Sequence, residues 1–140
     1  MWTAEQLRAI NEDGNLLVSA AAGAGKTAVM TERIARIIAS GTDVSEILVV
    51  TFTNPAAAEM KQRIERRLSE LAESTDDTKL KMHLHDSAIN ISTANISTIH
   101  SFCGNVLRRN CHIVGLDPAF RTADAAEAAL LRLKALDDVL

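Results

Sequence analysis

Residues Ala20 to Thr27 read Ala-Ala-Ala-Gly-Ala-Gly-Lys-Thr, a run of small side chains closed by a lysine and a hydroxyl. This is the composition of a phosphate-binding loop. Successive backbone N–H groups, from Ala22 through Gly23, Ala24 and Gly25 to Lys26, Thr27 and Ala28, can converge on a polyphosphate only if no bulky side chain fills the concavity. Gly23 and Gly25 permit backbone angles that other residues resist. Lys26 would reach the terminal phosphates, and the Thr27 hydroxyl would ligate a magnesium ion bridging them. Ala20 stands where the usual G-x-x-x-x-G-K-[ST] pattern has its first glycine. A methyl group leaves the loop open.

Two further segments carry candidate chemistry. Val49 to Lys61 reads VVTFTNPAAAEMK, and Ile96 to Cys103 reads ISTIHSFC. Each is an apolar strand that delivers hydroxyl, amide, imidazole or aromatic groups to its carboxyl end: Phe52, Thr53 and Asn54 in the first, Thr98 and His100 in the second. Ligands of open α/β sheets bind at that rim. Small hydroxyls and helix N-termini suit a phosphate backbone, and Phe52 or His100 could stack on a base. The bland readings are also open: Phe52 in the core, Asn54 as a helix cap, His100 as a satisfied histidine.

The elements that must position these groups alternate between helix and strand. Thr3-Ala4-Glu5-Gln6 has the form of a capping box opening a helix to about Asn11, with Thr3 as N-cap and Gln6 reaching back. Leu16, Leu17 and Val18 read as a buried first strand. A helix follows from Lys26 to about Ala39, with Val29, Met30, Ile34, Ile37 and Ile38 at helical spacing and Gly41 beyond its end. Ile47 to Phe52 is a continuous apolar run that fits a strand buried on both faces of a parallel sheet. Asn54 then caps a helix that has Pro55 at its first position and runs to about Ala72.

Polar residues 73–77 form a candidate mobile link, followed by a helix over 79–89, a strand over 95–98 and a helix over 99–110. Residues 123–140 predict a last helix with Ala126, Leu130, Leu133 and Leu140 on one stripe and no stop signal. Repeating β-α units imply an α/β fold with helices on both faces of a mostly parallel sheet. Lys61, Arg63, Arg66 and Arg67 alternate with Glu59, Glu65 and Glu70, which reads as a solvated helix face with weak ion pairs rather than a nucleic-acid groove.

Composition bounds the rest. The chain has 140 residues, 47% of them hydrophobic, and a net charge of −3. That is one domain's length with enough apolar content for a core, and without a general basic coat for nucleic acid. The absence of a signal peptide or a bilayer-length apolar run, together with only two cysteines, predicts cytoplasmic residence and no membrane partner. Cys103 and Cys111 read as free or buried thiols.

Taken together the segments resemble the early motifs of superfamily 1 helicases of the UvrD type, over nearly the whole chain. Trp2 to Ile10, with Gln6, resembles the adenine-reading Q motif. AAAGAGKT is similar to motif I, TFTNPAAAEMKQRI to motif Ia and STIHSFC to motif Ib. With Leu116-Asp117-Pro118-Ala119-Phe120-Arg121 and Asp124 added, the pattern is most similar to the helicase/nuclease A-subunit branch of that family, the AddA or RexA type.

The resemblance implies a P-loop NTPase fold and an ATP-driven, 3′-to-5′ motor on single-stranded or double-stranded DNA. It further implies exonuclease activity in double-strand break repair and recombination, and a second helicase/nuclease subunit of the AddB or RexB type as partner. It assigns Gln6 to adenine, Lys26 and Thr27 to phosphate and Mg2+, and Phe52, Thr53, Asn54, Thr98 and His100 to DNA.

Departures from the pattern are Ala24, where serine is commoner, and Pro55. The sequence also has no apolar run ending in Asp-Glu, no second motor domain with its arginines, and no clustered nuclease carboxylates. The expectation is therefore an N-terminal segment of a longer protein, with residues 1–122 the N-terminal part of a first RecA-like ATP-binding domain and 123–140 the start of a helical subdomain. A small-molecule P-loop enzyme such as a nucleotide kinase, or a stand-alone nucleotide-binding module, are the alternatives from other classes.

Overall fold

The computed structural model describes residues 2–139. Its order is α1 (Ala4–Asn11), α2 (Lys26–Ala39), β1 (Leu48–Thr51), α3 (Asn54–Ser74), α4 (Thr78–Asn90), β2 (Asn95–Thr98), α5 (Ile99–Arg109) and α6 (Ala125–Asp137). Short 3-10 turns at Val44–Glu46 and Ile91–Thr93 lead into the two strands. The chain divides into two compact units, one ending at Phe102 and the other beginning at Cys103.

The first unit is built around α3. Ala57, Met60, Ile64, Leu68 and Ala72 recur every three or four residues and are all buried, so one stripe of this long helix faces inward. Around it pack Ile34, Ala35 and Ile38 of α2, Leu84 and Ala88 of α4, and Val49 and Ile96 of the strands. Ile38, Ile64, Leu68 and Leu84 are the largest side chains removed from solvent. Each contributes about 1.5–3 kcal/mol relative to exposure. Asp77 caps α4 through the N–H groups of Lys79 and Leu80, which turns the chain back within three residues of α3.

Strands β1 and β2 pair in parallel, with Val49 opposite Ile96 and Thr51 opposite Thr98. The sheet has these two strands among the described residues, and α3 packs against both. One face alone is covered. Val49 and Ile96 point into the core, whereas Leu48 and Val50 stay nearly half exposed, so β1 is not the strand buried on both faces that its apolar run predicts. An unbroken apolar run reports what a strand could bury; the neighbours decide what it does bury.

Three other expectations change. Leu16, Leu17 and Val18 form no ladder among the described residues, and Leu17 is 94% exposed. The β1–β2 pair takes up no third strand among the described residues, and Leu16 and Val18 instead line a cavity with Ala9, Lys26 and Arg33. The cap of α3 is Thr53 rather than Asn54: the Ala56 N–H donates to Thr53 Oγ1 at 3.3 Å, and Pro55 follows Asn54 inside the first turn. Thr53 is extended and presents its hydroxyl to the helix end, as a cap must. The basic residues of α3 are not merely solvated, because Arg67 reaches across to Glu32 of α2 with contacts of 2.6 and 2.9 Å.

In the second unit, Asp124 caps α6 in a capping box with Glu127. Arg121 pairs with the same Glu127 and, with the backbone N–H of Asp124, holds its carboxyl below the usual glutamate range. Leu130 and Leu133 are exposed, and Leu140 of the expected stripe lies outside the described residues. Arg108 stacks over the Phe120 ring at 5.5 Å, and Cys111 is buried. Cys103 and Cys111 are both free thiols, as expected.

Candidate functional site

The candidate phosphate-binding loop has the backbone its glycines predict. Gly23 and Gly25 both sit at φ 81°, in the left-handed region where a side chain is strained. A Cβ on Gly23 would meet nothing within 4 Å, so the requirement there is conformational rather than steric. Gly25 is the N-cap of α2, and no side chain caps that helix end. The first N–H groups of α2, at Lys26, Thr27 and Ala28, therefore lack intrahelical partners and stand at the positive end of the helix dipole. Such an end receives an anion.

Lys26 arches back over the loop that precedes it. Its Nζ donates to the carbonyls of Ala20 at 2.6 Å and Ala21 at 2.8 Å. An ammonium carries three donors, so one remains for a further acceptor. Ala22, Gly23, Ala24 and the Thr27 side chain are exposed around it, with Ala28 half-buried in the first turn of α2. Small residues at 20 to 24 leave the lysine room to cross the loop.

Gln6 is tied to the loop as well as to its own helix. Its backbone N–H donates to Thr3 Oγ1 at 3.2 Å, and the Thr3 N–H donates to Gln6 Oε1 at 2.9 Å, completing the capping box of α1. Its Nε2 donates to the Ala24 carbonyl at 3.3 Å. Gln6, Thr3, Glu5, Ala9, Val18, Ser19, Ala20, Ala24, Lys26 and Val29 together line a cavity of about 280 Å³. The sequence-predicted glutamine and lysine thus share one cavity, although twenty residues separate them.

A residue the sequence did not single out completes the arrangement. Arg33 of α2 donates from Nη1 to the carbonyls of Ala9 at 2.9 Å and Glu12 at 2.6 Å, at the C-terminal end of α1. Arg8 lies 2.7 Å from the Glu12 carboxylate and holds it below the usual range. Backbone carbonyls leave no mark on a sequence, so nothing in the motif spacing could have pointed to Arg33.

The second group of candidates gathers where β1 and β2 end. Because Thr51 pairs with Thr98, the two strands stop level and their next residues emerge side by side. Phe52 is 104% exposed, which removes the core reading. Asn54 and His100 are exposed too, in the first turns of α3 and α5. Thr53 caps α3, and its carbonyl accepts from Thr51 Oγ1 at 3.0 Å. Thr98 is turned inward: it is buried, lies 2.9 Å from Ser101 Oγ, and accepts from the Ser101 N–H at 3.3 Å. Its hydroxyl is spent on the start of α5.

Thr31 Oγ1 is 3.7 Å from Met60 Sδ, which places the starts of α2 and α3 each within two turns of a shared contact. Of the basic run, Arg63 pairs with Glu59, Lys61 donates to the Ser92 carbonyl at 3.0 Å, and Arg67 meets Glu32 and Glu70. Among the described residues no cluster of acidic, histidine or cysteine side chains could hold a metal ion by itself, and no helix is long and apolar enough to cross a membrane.

A helix-rich α/β unit with a parallel strand pair thus carries a glycine-built loop at the start of α2, facing a capping-box glutamine. The chain belongs to the UvrD/REP helicase N-terminal domain family, whose model matches residues 2–140. It is 47% identical over 140 residues to the ATP-dependent helicase/nuclease A-subunit of Alkaliphilus metalliredigens, covering 99% of this chain and 12% of that protein. The protein of the same name from Heliobacterium modesticaldum is 50% identical over 140 residues, with 99% and 10% covered. That from Desulforamulus reducens is 49% identical over 142 residues, with 99% and 11% covered. The chain therefore spans about a tenth of the length of these curated relatives.

Proposed function

We propose that this chain is the ATP-binding N-terminal segment of an ATP-dependent 3′-to-5′ DNA helicase/exonuclease that works in double-strand break repair and recombination. The observation that carries the reading is the loop itself: two left-handed glycines, an uncapped α2 N-terminus and Lys26 folded across it, with Gln6 on the same cavity. The backbone N–H groups of Ala22 to Ala28 would bind the phosphates, Lys26 would neutralise them, and Gln6 would exchange its bond to Ala24 for one to the adenine. Thr27 is the exposed hydroxyl that would hold Mg2+. The ion would supply charge neutralisation between the outer phosphates.

Phe52, Thr53, Asn54 and His100 form the proposed single-strand contact, with Phe52 stacking on a base and the α3 and α5 N-termini facing the phosphate backbone. Thr98 belongs to this rim as the residue that fixes the start of α5. The contact of Thr31 with Met60, within two turns of the starts of α2 and α3, supports coupling between nucleotide and DNA. Residues 1–122 are assigned to the first RecA-like domain and 123–140 to the opening of a helical subdomain, a start supported by the capping box at Asp124. The proposed setting is cytoplasmic, with a second subunit of the AddB or RexB type.

The test is ATP hydrolysis by the full-length protein with and without single-stranded DNA. Stimulation by DNA is expected. Hydrolysis indifferent to DNA would support a nucleotide-binding module or small-molecule enzyme instead.

A further inference from the structure

Helix α1 is fastened to the rest of the site at two points, one at each end. Near its start Gln6 Nε2 reaches the Ala24 carbonyl at 3.3 Å. At its finish Arg33 Nη1 donates to the carbonyls of Ala9 and Glu12 at 2.9 and 2.6 Å. Those carbonyls belong to the last turn and cap of α1, where intrahelical donors run out and where the dipole favours a cation. Arg33 is half-buried, so these bonds are partly shielded from water. Ile10, between the two acceptors, is 4% exposed.

Arg33 also shares its helix with Lys26, roughly two turns further along. One rigid element thus carries the phosphate-binding lysine at its start and the grip on α1 in its body. If α1 pivoted, Gln6 would move relative to the loop while the loop kept its own shape, because the loop is set by Gly23, Gly25 and the Lys26 contacts.

We propose that Arg33 is a positioning residue for recognition of the nucleotide base: by bridging α2 to the terminal carbonyls of α1, it fixes Gln6 at the distance from the phosphate loop that lets base and triphosphate bind together. The proposal rests on the reading that Gln6 meets the adenine. It concerns selectivity for the base, and it leaves phosphate binding to the loop.

The experiment compares calorimetric affinities of the full chain for a non-hydrolysable ATP analogue and for inorganic tripolyphosphate, which has no base. Arg33→Met keeps an apolar stem and removes the donors. It should weaken the analogue by about tenfold, the equivalent of one hydrogen bond, and leave tripolyphosphate unchanged. Gln6→Ala should do the same, and the double variant should be no weaker than either single one, because the two act through one contact. Arg33→Lys should recover part of the loss.

An Arg33→Met chain that binds the analogue like wild type would overturn the proposal. So would equal losses on both ligands, whether from strain or from unfolding seen in thermal melting, since a merely structural arginine does not distinguish them. Unchanged analogue affinity in Gln6→Ala would instead remove the base-reading role of Gln6, a failure separate from that of Arg33.

Discussion

Lys26 and Phe52 are the two residues whose surroundings make the sharpest demands. The Lys26 ammonium crosses its own loop on two carbonyls and has a third donor to offer. A charged phosphate contact contributes about 1.5–3 kcal/mol, so Lys26→Ala should lower ATP affinity roughly ten- to a hundredfold. Titration calorimetry with a non-hydrolysable analogue checks this, and unchanged affinity would defeat the assignment. Phe52 presents its whole ring to solvent at the end of β1. Phe52→Ala should therefore leave the thermal melting point nearly unmoved, within about 0.5 kcal/mol of stability. In the full-length protein it should weaken single-stranded DNA binding by about 1–3 kcal/mol, the usual worth of a stacked base. Wild-type DNA affinity in both Phe52→Ala and His100→Ala would refute the contact.

Among the helices, α2 and α3 are joined by more than their apolar stripes. Arg67 meets both oxygens of Glu32, whose side chain is only 14% exposed, and also touches Glu70. Hydrogen bonding to Glu32 first, and its charge, hold the Arg67 guanidinium firmly protonated. A two-pronged, partly shielded pair exceeds the few tenths of a kcal/mol of an exposed i,i+4 pair such as Glu59–Arg63. A double-mutant cycle on Arg67→Ala and Glu32→Ala, read by urea unfolding, should give a coupling of about 1–2 kcal/mol. The same cycle on Arg63 and Glu59 should give no more than about 0.5 kcal/mol. Equal couplings would show that burial at Glu32 adds nothing.

At the scale of the whole molecule, binding and turnover should separate. The described residues bring a loop, its lysine and a glutamine onto one cavity, with the Thr27 hydroxyl next to the lysine in the chain, while no metal-holding acidic cluster is found among them. Hydrolysis in P-loop enzymes also needs an acidic metal partner and a residue that orients water. The 140-residue chain alone should therefore bind a fluorescent ATP analogue and release essentially no phosphate over hours. Sustained phosphate release that disappears in Lys26→Ala would overturn this.

Some of this architecture is local and could be read directly from the sequence. The capping box at Thr3 and Gln6, the left-handed glycines at 23 and 25 and the start of α2 at Lys26 all depend on neighbours a few residues away. So do the motifs that resemble the helicase family, because a phosphate loop is one contiguous stretch of backbone. Other features waited on residues distant in the chain. Leu16 to Val18 had the composition of a strand but joined no ladder among the described residues, and Leu48 and Val50 had the composition of a core but no layer above them. The exposure of Phe52, the inward turn of Thr98, and the reach of Arg67 to Glu32 and of Arg33 to the end of α1 were likewise decided in three dimensions. Hydrophobicity and charge state what a side chain can exchange with its surroundings, and only packing supplies the partner.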